Sequence, residues 1–272
     1  MIKETFNCVA IDFADTPKLE KATSISYLTD KTIPHLKFHT IQDVWIEFEN
    51  VDDVRAFKSI EFLANDLCLE KIDHITLKFL HEFTGLNDSD TRTLIIPFFF
   101  SAMKDGLPIG SCKYIDLKFD VDLFREVPYK IGIRTFTFRN FDINTKHEFN
   151  VFIYKTKEYQ QKSNIHLEEN VSTVMLAAFK DECNFVSIDN ITAYYTMAVK
   201  YNLTGDACKY VVPKLYGYNV PKNNLYMIPY DVTKVVFSSL ILDIPSDNCT
   251  IYTCSKIQIK IIIEHGTMKI PF

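Results

Sequence analysis

The chain has 272 residues, 47% hydrophobic, 24% charged and 14% aromatic, which is enough apolar material for a sizeable core and excludes a disordered chain. Glycine is scarce, at 7 residues, against 22 Phe and 14 Tyr, so folds that cradle phosphates on Gly-rich loops are disfavoured. The formal charge of −5 argues against a surface that coats a nucleic-acid backbone, and no apolar run reaches the roughly 18 to 20 residues of a membrane helix. Residues 1–5 carry charge and no apolar core, so no secretory signal is expected and the default compartment is intracellular. The length suits two modest domains or one large β domain.

Alternation of apolar and polar residues marks strands with one buried face, and it recurs from end to end. It first predicts strands at 24–28, 36–40 and 44–48. His35 and His39 would share a strand face about 13 Å apart, at about 3.3 Å per residue, too far to hold one metal. They read as solvent-facing histidines. Ile72, Ile75, Phe79, Leu80 and Phe83 then recur at helical spacing ahead of Gly85, predicting a short helix at 71–83.

The clearest strand is 114–123, with Ile115, Leu117, Phe119, Val121 and Leu123 on one face and Asp116, Lys118, Asp120 and Asp122 on the other. The row of Asp116, Asp120 and Asp122 reads as a polar outer face rather than a cation or acid/base site. Glu126-Val127-Pro128 ends this strand and places a domain boundary there, giving domains 1–126 and 127–272, each long enough for eight short strands. Strands follow at 130–138 and 149–154. Val171, Val174, Met175 and Ala178 predict a second short helix at 168–180. Strands at 235–242 and 251–263 close the chain, the last with Ile257, Ile259, Ile261 and Ile263 on one face. Turn signals at 15–17, 87–90, 104–106 and 245–248 punctuate the strands as in sandwiches.

Chemistry is thinly represented. The usual nucleotide-binding and serine-hydrolase glycine motifs are missing from the sequence. Seven cysteines, an odd count with no Cys-x-x-Cys spacing, favour reduced and mostly buried thiols over a disulfide framework or zinc site. Cys249 and Cys254 either bridge a hairpin or are ordinary strand thiols, the second being preferred in a reducing compartment. Sequons at Asn87, Asn170, Asn190, Asn202 and Asn248 are what an Asn-rich sequence yields by chance. Lys130, Arg134 and Arg139 read as a solvated face or a subunit contact. No catalytic residue, cofactor or metal is expected.

One stretch carries more. Ile96-Pro97 runs into Phe98-Phe99-Phe100, then Gly106-Leu107-Pro108, then the alternating strand with Tyr114, Leu117, Phe119 and Val121. In order and spacing this resembles the signature of the double jelly-roll major capsid proteins of large eukaryotic DNA viruses, where an Ile-Pro and a Phe-rich strand lead through a Gly-Leu and Leu-Pro loop into a long strand. Ser59 to Leu63 with Ile72-Asp73 upstream, and Phe237 to Leu240 with Pro245-Ser246 and Asn248-Cys249 downstream, resemble further parts of the pattern. Asn65-Asp66 and Asp247 stand where the family commonly has glycine.

The resemblance implies a mainly β fold of two antiparallel eight-stranded jelly-roll sandwiches in tandem with short helical inserts, its outer loops trimmed. It implies a capsid structural protein, not an enzyme, that forms homotrimers of pseudo-hexameric outline and an icosahedral shell. Its partners would be itself and neighbouring capsomers, with minor capsid proteins or an inner membrane beyond them and no direct nucleic acid. The site would be the virion, assembled inside the host cell. A minor capsid or scaffold protein of the same fold, and a β-sandwich receptor or glycan-binding module, are the alternatives.

Overall fold

A computed structural model of the chain describes residues 7–12, 23–28, 39–64, 67–87, 91–104, 106–108, 114–121, 129–137, 146–160, 165–167, 171–180, 184–196, 199–228, 238–245, 248–265 and 267–270. The chain forms two compact units. Met1–His74, Asn87–Ile153 and Ile259–Phe272 make the first, and Ile75–Leu86 with Tyr154–Gln258 make the second.

The first unit is built from β1 (Asn7–Asp12), β2 (Thr23–Leu28), β3 (His39–Phe48), β4 (Phe57–Ala64), β5 (Leu67–Asp73), β6 (Thr93–Ile96), β7 (Leu107–Pro108), β8 (Tyr114–Val121) and β9 (Tyr129–Thr137). One sheet has the order β1-β9-β3-β6 with β7 also on β3; the other has the order β2-β8-β4-β5. The chain crosses from sheet to sheet as it proceeds, the weave of a jelly roll. β9 lies beyond residue 126, yet it closes the first sheet between β1 and β3. In β3, Val44, Ile46 and Phe48 keep strict alternation and are all but fully buried. A register shift between Ile41 and Asp43 lets Ile41, three residues before Val44, face inward as well.

The second unit contains α1 (His74–Thr84) from Ile75 on, the end of β10 (His147–Tyr159), β11 (Ile165–His166), β12 (Val171–Phe179), β13 (Phe185–Val186), β14 (Asn190–Thr196), β15 (Val199–Thr204), α2 (Val212–Leu215), β16 (Leu225–Ile228), β17 (Ser239–Asp243) and the start of β18 (Thr250–Glu264). The order β10-β18-β12-β13 describes one sheet, with β16 also on β12 and β19 (Thr267–Lys269) on β18; β11-β17-β14-β15 is the other. β18 bears out its alternation, with Ile257, Ile261 and Ile263 buried and Gln258 and Lys260 exposed.

Both predicted helices need correction. The first begins at His74 rather than residue 71, because Lys71 and Ile72 pair with Glu61 and Ile60 as the end of β5. It closes where Gly85, at φ +70°, donates its N–H to the His81 carbonyl, the left-handed C-terminal stop. Although α1 sits among the first unit's strands in sequence, its Ile75, Phe79, Leu80 and Phe83 pack with Met175, Ala177, Phe179, Leu225 and Met227 in the core of the second unit.

The second predicted helix, 168–180, is the strand β12 over its described core. Met175 and Ala177 face α1, while Val174, Leu176 and Ala178, on the opposite face, are equally buried. A strand buried on both faces has no polar alternation, and its continuous apolar run satisfies a helical template by accident.

Candidate functional site

Of the residues singled out in the sequence, Phe98, Phe99, Phe100 and Leu117 meet at Phe62, in the middle of β4. Ile96 ends β6, paired with Val44. Pro97 has no N–H to continue the ladder, and Phe99–Ala102 turns as a 3-10 helix rather than extending as the Phe-rich strand that the sequence suggested. A strand would send Phe99 to the face opposite Phe98 and Phe100. In the turn all three rings are buried and lie 5.7, 6.0 and 4.8 Å from the Phe62 ring. Edge-to-face and tilted pairings dominate this knot, as aromatic quadrupoles prefer.

The register places Glu70 on β5 and Leu117 on β8 as the two cross-strand partners of Phe62. Glu70 is 3% exposed, and its Oε2 accepts the Phe99 N–H at 2.7 Å, satisfying a donor at the start of the turn. A buried carboxylate inside an aromatic cluster is costly without such partners. Sequence reasoning missed Glu70. Its only signal is its position two residues before buried Ile72, on the face that β5 turns inward.

Beyond the turn, the Ser101 N–H donates to the Phe98 carbonyl, that of Met103 to Phe100, and that of Gly106 to Met103. Gly106 sits at φ +67°, and a Cβ there would lie 2.7 Å from the Ile41 carbonyl oxygen, so a side chain is excluded both by backbone and by space. Leu107 and Pro108 are buried and pair with Ile41 and Thr40. Tyr114, Phe119 and Val121 stand on β8 opposite Leu28, Thr23 and Phe57 respectively. Leu117 is 2% exposed; the side chains of the other three lie outside the described residues.

The edge of the first sheet is closed by another unforeseen contact. Asn87, at φ +68°, donates from Nδ2 to the Ile95 carbonyl (3.0 Å) and accepts the Ile95 N–H on Oδ1 (2.6 Å). One side-chain amide thus stands in for a neighbouring strand along β6. The same asparagine opens a sequon, and its amide is committed to the backbone. Of the other sequons, Asn190 donates to Asp243 and Asn202 accepts from Thr192; Asn170 lies outside the described residues.

Groups with chemistry stay apart. Among the described residues, no three His, Cys, Asp or Glu side chains are arranged to hold a metal, and no helix is long and apolar enough to cross a membrane. His35, Asp122 and Arg139 lie outside the described residues, as do the side chains of His39, Asp116, Asp120, Lys130 and Arg134. Cys249 and Cys254 are buried. Burial pushes the Cys208 thiol up to about 12, the opposite of an activated nucleophile. On the surface, Glu148 accepts from Lys146 at 2.7 Å and from Lys260 at 2.5 Å, and these hydrogen bonds bring its carboxyl down to about 2.

The sequence matches no protein-family model and no curated protein. The backbone does have likenesses among solved structures. A quasi-atomic model of the PBCV-1 virus capsid superposes with a TM-score of 0.74 at 10% identity, covering 99% of this chain and 97% of that one. The chain folds as a double jelly roll. The major capsid protein P2 of bacteriophage PM2 shares this double jelly roll with a TM-score of 0.55 at 13% identity, over 98% of both chains. The major capsid protein of Sulfolobus turreted icosahedral virus does so at 0.55 and 11%, over 93% of this chain and 96% of that one. These likenesses cover 93–99% of the chain.

Proposed function

We propose that this double jelly roll is a shell-building subunit of a virus particle. Three copies form a capsomer of pseudo-hexameric outline, each chain supplying two of its six corners, and capsomers tile an icosahedral shell in the virion after assembly in the host cell. The supporting observation is the fold shared with capsid chains over nearly the full length of each partner. Two jelly rolls in one chain suit closed symmetry, because one repeated shape offers laterally equivalent faces. The aromatic knot at Phe62 and the Gly106 turn serve this role as rigid core, and the reading assigns the chain no catalysis, metal or cofactor.

Size-exclusion chromatography with light scattering tests the assembly state. The purified chain is expected at three times its chain mass, with higher species appearing as concentration rises. A monomer that persists at high concentration across a range of salt would overturn the trimeric reading and favour a monomeric binding module.

A further inference from the structure

Residues 93–103 hold no charged side chain, and the run opens on β6, where Leu94, Ile95 and Ile96 are apolar and the two isoleucines β-branched. A segment of this kind pairs readily with copies of itself when its backbone is free. β6 also stands at the end of the order β1-β9-β3-β6, with β3 as its one partner among the described strands. On it Ile95 is 44% exposed. An uncharged apolar strand at a sheet edge is a template for strand addition unless something blocks it.

Two blocks are general ones: the strand is four residues long, and Pro97 follows it. The third is specific to this chain. In an antiparallel ladder successive residues turn their N–H and C=O alternately toward and away from the partner strand. Ile95 is turned away from β3, and Asn87 meets both of its groups, Oδ1 accepting the N–H at 2.6 Å and Nδ2 donating to the C=O at 3.0 Å. Thr93, two residues earlier and turned the same way, has its carbonyl taken by the Thr91 hydroxyl at 3.1 Å. The side chains at 87 and 91 thus hold backbone groups that an incoming strand would need. Asn87 makes this reach from φ +68°, a left-handed conformation that Asn enters more readily than most residues.

We propose that Asn87, with Thr91, seals the edge of the first sheet, and that a chain without the seal pairs through β6 with β6 of a second copy. The occupant is a second copy because an uncharged apolar segment complements itself, with no like charges set opposite one another. Two identical antiparallel edges meet about a two-fold axis, which makes the contact isologous. It is a contact that the parent chain avoids.

Amide hydrogen exchange on the full parent chain tests the seal directly. The Ile95 N–H is expected to be protected although its strand lies at an edge, and exchange as fast as that of an open amide would overturn the proposal. Asn87→Gly removes the side-chain amide and keeps access to positive φ. It is expected to speed Ile95 exchange about tenfold and to raise the mass seen in light scattering above that of the parent chain as concentration rises. Adding Ile95→Lys, a charge on the edge strand, is expected to return the mass to the parent value. Parent mass for Asn87→Gly at every concentration would overturn the proposal. So would association that Ile95→Lys leaves in place, since it would then arise elsewhere on the chain. The parent measurement needs no variant, and every mass is compared with the parent chain, so the outcome is independent of the shell-subunit reading.

Discussion

Phe62 contacts three consecutive aromatic rings and sits between Glu70 and Leu117 in one row across three strands, so its removal leaves a cavity that neighbours on a rigid sheet cannot close. Phe62→Ala is expected to destabilise the chain by about 3–5 kcal/mol in urea unfolding followed by circular dichroism. An effect well below 1 kcal/mol would show that the knot is not core. Glu148 gives a second test at this scale. Its carboxyl is held down by Lys146 and Lys260, so it ionises more readily folded than unfolded, and any stability it contributes is present above pH 4.5 and lost as pH falls through about 2. The contribution is small because the group is exposed. The direct reading is its NMR titration, expected near 2 in the parent chain and back toward 4.5 when both lysines become Met. A midpoint unmoved by those substitutions would contradict the pairing.

Among the elements, β12 and α1 carry the second unit, and the turn at Gly205 fixes how β15 leaves its sheet. A Cβ on Gly205 would stand 1.8 Å from the Ile188 carbonyl oxygen, and the Gly205 N–H is already tied to the Asp189 carbonyl, so the backbone cannot retreat. Gly205→Ala is expected to cost at least about 2 kcal/mol, read as a lowered urea midpoint with an unchanged slope. A neutral result would mean that this turn yields. Fewer than half of the described strands were legible, and alternation found them where one face meets polar surroundings, as in β3 and β18, where it survives into the burial pattern. Legibility failed where that condition fails. β12 is buried on both faces and reads as a helix, and Phe98 to Phe100 read as a strand because apolar richness does not distinguish a strand from a tight turn that gathers every ring. The destination of α1 was not legible at all, since an amphipathic pattern states that a face is buried and not which sheet buries it.

At the scale of the whole molecule, the sequence is aromatic and poor in chemical motifs, and its described residues build the antiparallel sheets of a double jelly roll. Glycine, scarce throughout, is retained at Gly85, Gly106 and Gly217, where the backbone turns through positive φ. The candidate site, in the sense of the aromatic knot, could be approached from sequence through the order of Ile96-Pro97, the three phenylalanines and Gly106. Its partner Glu70, and Asn87 at the edge of β6, could not, because a buried carboxylate and an amide that imitates a strand are defined by three-dimensional pairing alone. Phe152, Tyr201 and Tyr210 are exposed. Negative-stain electron microscopy of the purified protein at rising concentration tests the shell-subunit reading most directly: three-fold particles with a six-lobed, hexagonal outline are expected, and isolated single-chain particles at every concentration would contradict it.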